Sequence, residues 1–344
     1  LAKIEFQRVC KSFPIKGRLF EKKKLHAVRD VSFSIEEGHT LAVVGESGCG
    51  KTTLARLLMK LHDLTDGAIL VGGKDIREEK GAEALKRYRE QIQMIFQDPF
   101  ASLNPAHSVG SILSRAITLH NKGMPPAQVR DRVASLLGMV GLTPPEDFME
   151  KHPAQLSGGQ RQRIVIARAL AVNPSVIVAD EPTSMLDVSI GIDIMNLMLE
   201  LKEKQGLTML YITHNLASAR YMADEMAVMY AGTCVEYGKI DDLIENPFHP
   251  YTVLLLNSTP EPFRESGAEI YASEEGADLT SGKPQCMFCN RCPRARERCF
   301  STEPPEFRYG DRRVKCYLYE GAEAPERALV DVSIYGKEEN ANVS

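Results

Sequence analysis

Eight consecutive residues, Gly45-Glu46-Ser47-Gly48-Cys49-Gly50-Lys51-Thr52, set glycines, a lysine and a hydroxyl at spacings that suit one task. The pattern G-x-x-x-x-G-K-[ST] is the phosphate-binding P-loop. Glycines let backbone N–H groups close around phosphate oxygens. Lys51 supplies a point charge to β- and γ-phosphates, and the Thr52 hydroxyl is a ligand for Mg²⁺. A helix opening here adds unsatisfied N–H groups and the positive end of its dipole.

Other residues could complete that chemistry. Asp180-Glu181 follows the apolar run Ser175-Val176-Ile177-Val178-Ala179. A carboxylate at the end of a parallel strand beside the P-loop strand reaches the nucleotide's Mg²⁺, which gives Asp180 its role. Glu181 is then a candidate general base for an attacking water. Ser157-Gly158-Gly159-Gln160 precedes a helical run, with Ser157 as N-cap and glycines that admit a phosphate to the helix N-terminus. Of the eight cysteines, Cys286, Cys289, Cys292, Cys299 and Cys316 crowd near the C-terminus. In a nucleotide-using chain such a group points to metal rather than disulfides.

The elements that must position these residues follow from periodicity. Thr40–Val44 reads as a buried parallel strand, and a helix is expected over 53–59. Ile4–Val9 and Val28–Ile35 alternate as half-buried strands, with the basic run 16–24 between them as a solvated insertion. A hairpin is expected over 68–76 and strands over 91–96, 175–179 and 207–213. Residues 108–142 are helical in pattern, with Pro125-Pro126 starting one helix, and another helix is expected over 188–204. The fold class is therefore α/β, a helical subdomain being inserted into a sheet domain. Past Pro247 the composition loosens through 257–285, and 321–344 reads as a flexible tail.

The bulk numbers allow this. The 344 residues are 43% hydrophobic and 26% charged, an ordinary globular balance. A net charge of −4 gives no nucleic-acid footprint. No apolar run is long enough to cross a bilayer, and the N-terminus lacks a signal-peptide pattern.

The order of P-loop 45–52, Gln97, Leu156-Ser157-Gly158-Gly159-Gln160, Val176–Glu181, Asp187 and His214 resembles the ATP-binding subunit of an ABC transporter over about residues 1–320. Phe13–Phe20 ahead of Ala27-Val28, Phe96–Pro105 and Asn246–Thr252 narrow the resemblance to di- and oligopeptide importers, and to the second ATPase of their pair. It implies a P-loop (RecA-like) core with an antiparallel β subdomain over 1–96 and 157–245, a helical subdomain over 97–156, and a small Cys-rich C-terminal extension over 246–320. It implies ATP at Phe13, Gly45, Ser47, Gly48, Cys49, Gly50, Lys51, Thr52 and Thr53. Mg²⁺ falls to Thr52, Gln97 and Asp180. Catalysis falls to Glu181, His214 and Gln97. Ser157, Gly158, Gly159, Gln160 and Asp187 serve ATP held by the opposite subunit.

Cys286, Cys292, Cys299 and Cys316 match the branch's ligands for a [4Fe–4S] cluster. Four thiolates equally suit Zn²⁺, and Cys289 offers an alternative ligand. The implied partners are a second ATPase in a heterodimer, two membrane-spanning permeases and an extracellular binding protein, with this chain peripheral on the cytoplasmic face. A permease would dock around Phe100, Leu103 and the helical insert. The branch also moves nickel or oligosaccharides, and a soluble ABC ATPase acting on nucleic acid is the rival reading. A single P-loop and the absence of a basic surface argue against that rival. A scaffold that binds ATP without turnover is disfavoured by the intact Glu181 and His214. Cys49 stands where Ser is commoner, which predicts sensitivity to thiol reagents.

Overall fold

The computed structural model describes residues 3–16, 22–258, 277–280, 282–323 and 329, so most of the loosened stretch and of the expected tail lies outside the described residues. β1 (Ile4–Lys16) and β2 (Lys22–Ile35) pair antiparallel. Both run further than alternation predicts. The ends of the basic run expected as a solvated insertion extend the pair, with Ile15 opposite Lys23, while 17–21 lie outside the described residues. Bulges explain where alternation fails: Arg8 (φ 50°) and Asp30 (φ 44°) shift the register, so Ile4, Phe6 and Val9 all point inward.

β3 (Thr40–Val44) leads into the P-loop, and α1 (Lys51–Leu58) opens at Lys51, two residues earlier than expected. β4 (Asp66–Val71) and β5 (Lys74–Asp75) form the expected hairpin and complete a four-stranded sheet, β2-β1-β4-β5. α2 (Ala82–Gln91) takes the glutamine that periodicity gives to the next strand, β6 (Ile92–Ile95).

Five helices follow: α3 (Pro99–Ser102), α4 (Val109–His120), α5 (Pro126–Met139), α6 (Pro145–Met149) and α7 (Gly158–Leu170). Their starts are written locally. The Asp98, Ser108 and Ser157 side chains accept N–H bonds as N-caps, and Pro126 takes the first position of α5. Leu113, Ile117, Val133 and Leu136 bury one shared core with Ile164 and Val165 of α7. Leu103, expected at a docking surface, is only 2% exposed and belongs to that core. Phe100 stays exposed, with the Arg161 guanidinium 4.3 Å from its ring centre.

The α/β pattern resumes with β7 (Val176–Asp180), α8 (Val188–Gln205), β8 (Thr208–Thr213), α9 (Leu216–Met222), β9 (Glu225–Tyr230) and β10 (Thr233–Lys239). Through these elements the main sheet runs β10-β9-β3-β8-β7-β6, and its members from β9 to β6 are parallel. β3 sits mid-sheet and is apolar on both faces. Leu41 and Val43 enter one core, Ala42 and Val44 another. This is the expected α/β P-loop architecture with an antiparallel subsheet and inserted helices.

The extension departs from expectation. After α10 (Ile240–Glu245) and α11 (Pro250–Ser258), the short strands β11 (Phe307–Tyr309) and β12 (Arg312–Val314) join the main sheet, Val314 lying opposite Glu236 of β10. Glu236 is 1% exposed. It accepts bonds from Phe248 N–H (2.8 Å), His249 N–H (2.9 Å), the Thr252 hydroxyl (2.6 Å) and Arg312 (2.9 Å). A buried carboxylate so supplied with donors ties the extension to the sheet. No helix among the described residues is long and apolar enough to cross a membrane.

Candidate functional site

β3, β8 and β7 are consecutive neighbours in the sheet, so whatever follows their C-terminal ends converges. The P-loop follows β3, His214 follows β8, and Asp180 ends β7. A cleft of about 310 Å³ opens there, lined among others by Phe13, Ser47, Gly48, Gly50, Lys51, Thr52, Thr53, Gln97 and Glu181. Two glycines make the loop possible. A Cβ on Gly45 would lie 2.1 Å from the Met229 carbonyl oxygen, and one on Gly50 2.4 Å from that of Ala27. Both have positive φ, 151° and 108°.

Lys51 is 5% exposed, and its Nζ donates to the carbonyls of Gly45 (2.6 Å) and Glu46 (3.0 Å). With two carbonyls and the Cys49 sulfur (3.9 Å) as its partners among the described residues, the ammonium is not spent on a carboxylate and is left for an incoming phosphate. The Thr52 hydroxyl donates to Asp180 Oδ1 (3.2 Å). Burial raises the Asp180 pKa; the Thr52 bond opposes this and the Glu181 charge adds to it. A divalent cation would relieve that cost. Thr52 and Asp180 are well placed to share one.

Glu181 takes a left-handed backbone (φ 47°), pinned by its N–H bond to Ile212 O (2.8 Å). Its carboxylate accepts from Gln97 Nε2 (3.0 Å) and pairs with His214 Nδ1 (3.1 Å). Three residues far apart in sequence therefore meet at one carboxylate. Phe13 is half-buried, with His62 edge-on at 5.2 Å and Lys11 4.9 Å from its ring centre. Cys49 is 4% exposed and burial raises its thiol pKa, so the reagent sensitivity expected of it is not favoured here.

Ser157, Gly158, Gly159, Gln160 and Asp187 do not line this cleft. Ser157 caps α7 reciprocally: its hydroxyl accepts Gln160 N–H (3.3 Å) and its own N–H donates to Gln160 Oε1 (3.1 Å). Gly158 and Gly159 lie against Leu186 and Ile190, beside Asp187, where added Cβ atoms would come within 3.2 and 2.7 Å of those side chains. Val188 is 81% exposed on the same surface.

Three residues of the C-terminal extension reach the site and escape the sequence reading. Leu279 lines the cleft, and its carbonyl accepts the His26 N–H (3.0 Å). The Tyr251 hydroxyl accepts the Glu46 N–H (3.0 Å). Arg291 forms two bonds to the Glu46 carboxylate, at 2.9 and 3.0 Å. Tyr251 and Arg291 stand inside motifs visible in the sequence, but no local pattern says that they touch the P-loop.

Cys286, Cys289, Cys292, Cys299 and Cys316 line one cavity of about 20 Å³ with Phe288. Burial pushes the Cys292 thiol up to about 11 and Cys316 up to about 12, and raises Cys286 further still. Cys286 feels Cys316, Cys292 and Cys299 electrostatically, whereas the Cys289 thiol donates to Asn290 Oδ1 at 3.6 Å. Among the described residues no three His, Cys, Asp or Glu side chains group as a site for a metal ion.

The family described as ABC transporter matches residues 28–184, and that described as oligopeptide/dipeptide transporter, C-terminal region, matches 235–299. The oligopeptide transport ATP-binding protein AppF of Bacillus subtilis (strain 168) is 42% identical over 323 residues, 92% of this chain and 97% of that protein. The chain belongs to the ABC transporter family. The dipeptide transport ATP-binding protein DppF of Escherichia coli (strain K12) is 40% identical over 319 residues, 92% of this ABC chain and 94% of that one. A dimeric structure of the ATP-binding cassette MJ0796 bound to ADP and Pi matches with a TM-score of 0.61 at 30% identity, covering 69% of this chain and 98% of that one. In this ABC transporter chain the two matched regions meet: Glu46 lies in the first and Arg291 in the second.

Proposed function

We infer that this chain is the ATP-hydrolysing subunit of an ABC importer that powers uptake of di- and oligopeptides. The observation that carries the chemistry is the Glu181 carboxylate, held between Gln97 and His214 beside the P-loop cleft. Lys51 and the loop N–H groups hold the triphosphate, with Gly45, Ser47, Gly48, Cys49, Gly50 and Thr53 shaping the cradle. Thr52, Asp180 and Gln97 hold Mg²⁺, whose charge offsets that of the phosphates. Glu181 takes a proton from the attacking water, and His214 orients that water and the γ-phosphate. Phe13 offers its ring to adenine. Ser157, Gly158, Gly159, Gln160 and Asp187 serve the nucleotide of the opposite subunit, a reading supported by their place apart from this chain's own cleft and by the exposure of Ser157 and Asp187.

The division of labour is a core with β subdomain over 1–96 and 157–245, a helical subdomain over 97–156 that answers to a permease, an extension over 246–320, and a tail. The working assembly is a heterodimer of two ATPases under two permeases, fed by an extracellular binding protein, with this chain on the cytoplasmic face. Relatives named for oligopeptide and dipeptide transport favour peptide over nickel or oligosaccharide cargo. Reconstituted with its permeases, the parental chain should drive labelled dipeptide uptake and Lys51→Ala should not. Equal uptake by both would overturn the assignment.

The donor chemistry of Cys286, Cys292, Cys299 and Cys316 fits a [4Fe–4S] cluster. They share one cavity and interact electrostatically, and Cys289 is engaged with Asn290. Four thiolates would serve Zn²⁺ as well, and the cavity must widen to take a cubane. Bound there, a cluster would replace four free thiols by a cross-link within the extension. Iron and acid-labile sulfide near four each per chain are expected; zinc alone would reverse the choice.

A further inference from the structure

Glu46 is held by all three of its polar groups. Its carboxylate is gripped by the Arg291 fork at 2.9 and 3.0 Å, its N–H donates to the Tyr251 hydroxyl at 3.0 Å, and its carbonyl accepts from Lys51 Nζ at 3.0 Å. The lysine that meets phosphate and the arginine of the Cys-rich loop are therefore tied to one residue. Arg291 is itself seated: its side chain is 13% exposed and its guanidinium lies 5.7 Å from the Tyr230 ring centre and 5.9 Å from that of Phe288. Those rings pack on Tyr251, at 4.6 and 5.4 Å. The fork thus stands on a rigid aromatic base and loses little freedom in holding Glu46.

We propose that Arg291 is a positioning residue for nucleotide binding, which neutralises and restrains the Glu46 carboxylate so that the P-loop accepts a triphosphate. The physical need is plain. Glu46 follows the first glycine of a loop built for anions, and a free carboxylate there repels phosphate charge. Paired two-pronged with a guanidinium, it cannot swing toward the cleft and contributes little net field. The C-terminal extension is then a working part of the ATP site and not only an appendage. This rests on the reading that Gly45 and residues 47–53 hold the triphosphate.

The test compares ATP affinity in Arg291→Ala, Glu46→Gln and the double variant, measured by competition with a fluorescent ATP analogue, with Lys51→Ala alongside. We expect Arg291→Ala to weaken ATP about tenfold, less at high ionic strength. Glu46→Gln alone should bind ATP at least as well as the parent. The double variant should recover to within about threefold of Glu46→Gln, because the unpaired charge is gone. If the double variant stays as weak as Arg291→Ala, Arg291 is a structural prop and the proposal fails. It also fails if Arg291→Ala binds ATP normally. Should Arg291→Ala not fold, Arg291→Gln replaces it in the same comparison. Normal binding by Lys51→Ala would instead overturn the reading of the P-loop site.

Discussion

Glu181 is the residue on which turnover depends. Its carboxylate accepts from Gln97 and pairs with His214, so an amide in its place would keep most of the geometry while losing the base. Glu181→Gln should bind ATP normally and hydrolyse it about 10²–10⁴-fold more slowly. Phosphate release checks the rate, and ATP-dependent accumulation of dimers on gel filtration checks the trapped state; parental turnover would remove the base assignment. Asp180 makes a prediction of opposite sign for stability. Burial raises its folded pKa above the unfolded value, so its contribution is most favourable below the ordinary carboxylate range and is lost as pH rises through the folded pKa. At neutral pH the ion-free carboxylate is therefore a cost. Asp180→Asn should raise the melting temperature of the nucleotide-free protein by about 2 °C and abolish the added stabilisation from Mg²⁺ with ATP. A fall in the nucleotide-free melting temperature would count against this account. The P-loop residues, Asp180 and Glu181 are legible in sequence because each follows a short apolar strand. Arg291 and Leu279 are not, since their partners lie hundreds of positions away.

At the scale of elements, helix α7 carries a separable prediction. Ser157 and Gln160 cap its start reciprocally, and neither faces this chain's own cleft. Ser157→Ala should cost about 1 kcal/mol of stability, leave ATP affinity of the isolated chain unchanged, and weaken ATP-driven dimerisation. Thermal melts, nucleotide titration and light scattering separate the three; reduced affinity in the monomer would refute the division. The segment holding Leu279 makes another. If its side chain walls the base end of the cleft, Leu279→Ala should weaken ATP severalfold, while inorganic tripolyphosphate, which has no base, binds as before. Equal loss for both ligands would place Leu279 outside the base-binding wall. Element types are largely readable from periodicity, and boundaries less so. Arg8 and Asp30 break the alternation at bulges, and β11 and β12, at three residues each, are too short to show a period.

At the scale of the whole molecule, Glu236 joins the sheet to the extension. Arg312 contributes one of four bonds to this buried carboxylate and also lies 3.5 Å from the Phe248 ring centre. Arg312→Ala leaves a buried charge without its counter-ion and should cost about 3 kcal/mol in denaturant unfolding. A loss under about 0.5 kcal/mol, the range of an indifferent surface change, would show that the backbone donors alone suffice. In the sequence the composition loosens through 257–285, rich in Pro, Gly, Ser and Glu, and no local pattern tells how the extension is attached. The attachment is carried instead by a few separated residues, Glu236, Tyr251, Arg291 and Arg312, whose chemistry is ordinary until the fold brings them together.

The central place of β3 has a bearing on biosynthesis. The strand is made early, yet its neighbours β8 and β9 are about 165–190 positions downstream, and among the described residues β10 is paired on the side away from β9 by β12. A ribosome must therefore translate as far as Tyr230 before the sheet has its middle, and as far as Val314 before β10 is covered. Until residue 314 emerges, the nascent chain carries an open strand and an acid awaiting its arginine, so holdase protection during translation should matter more for this protein than its final compactness suggests.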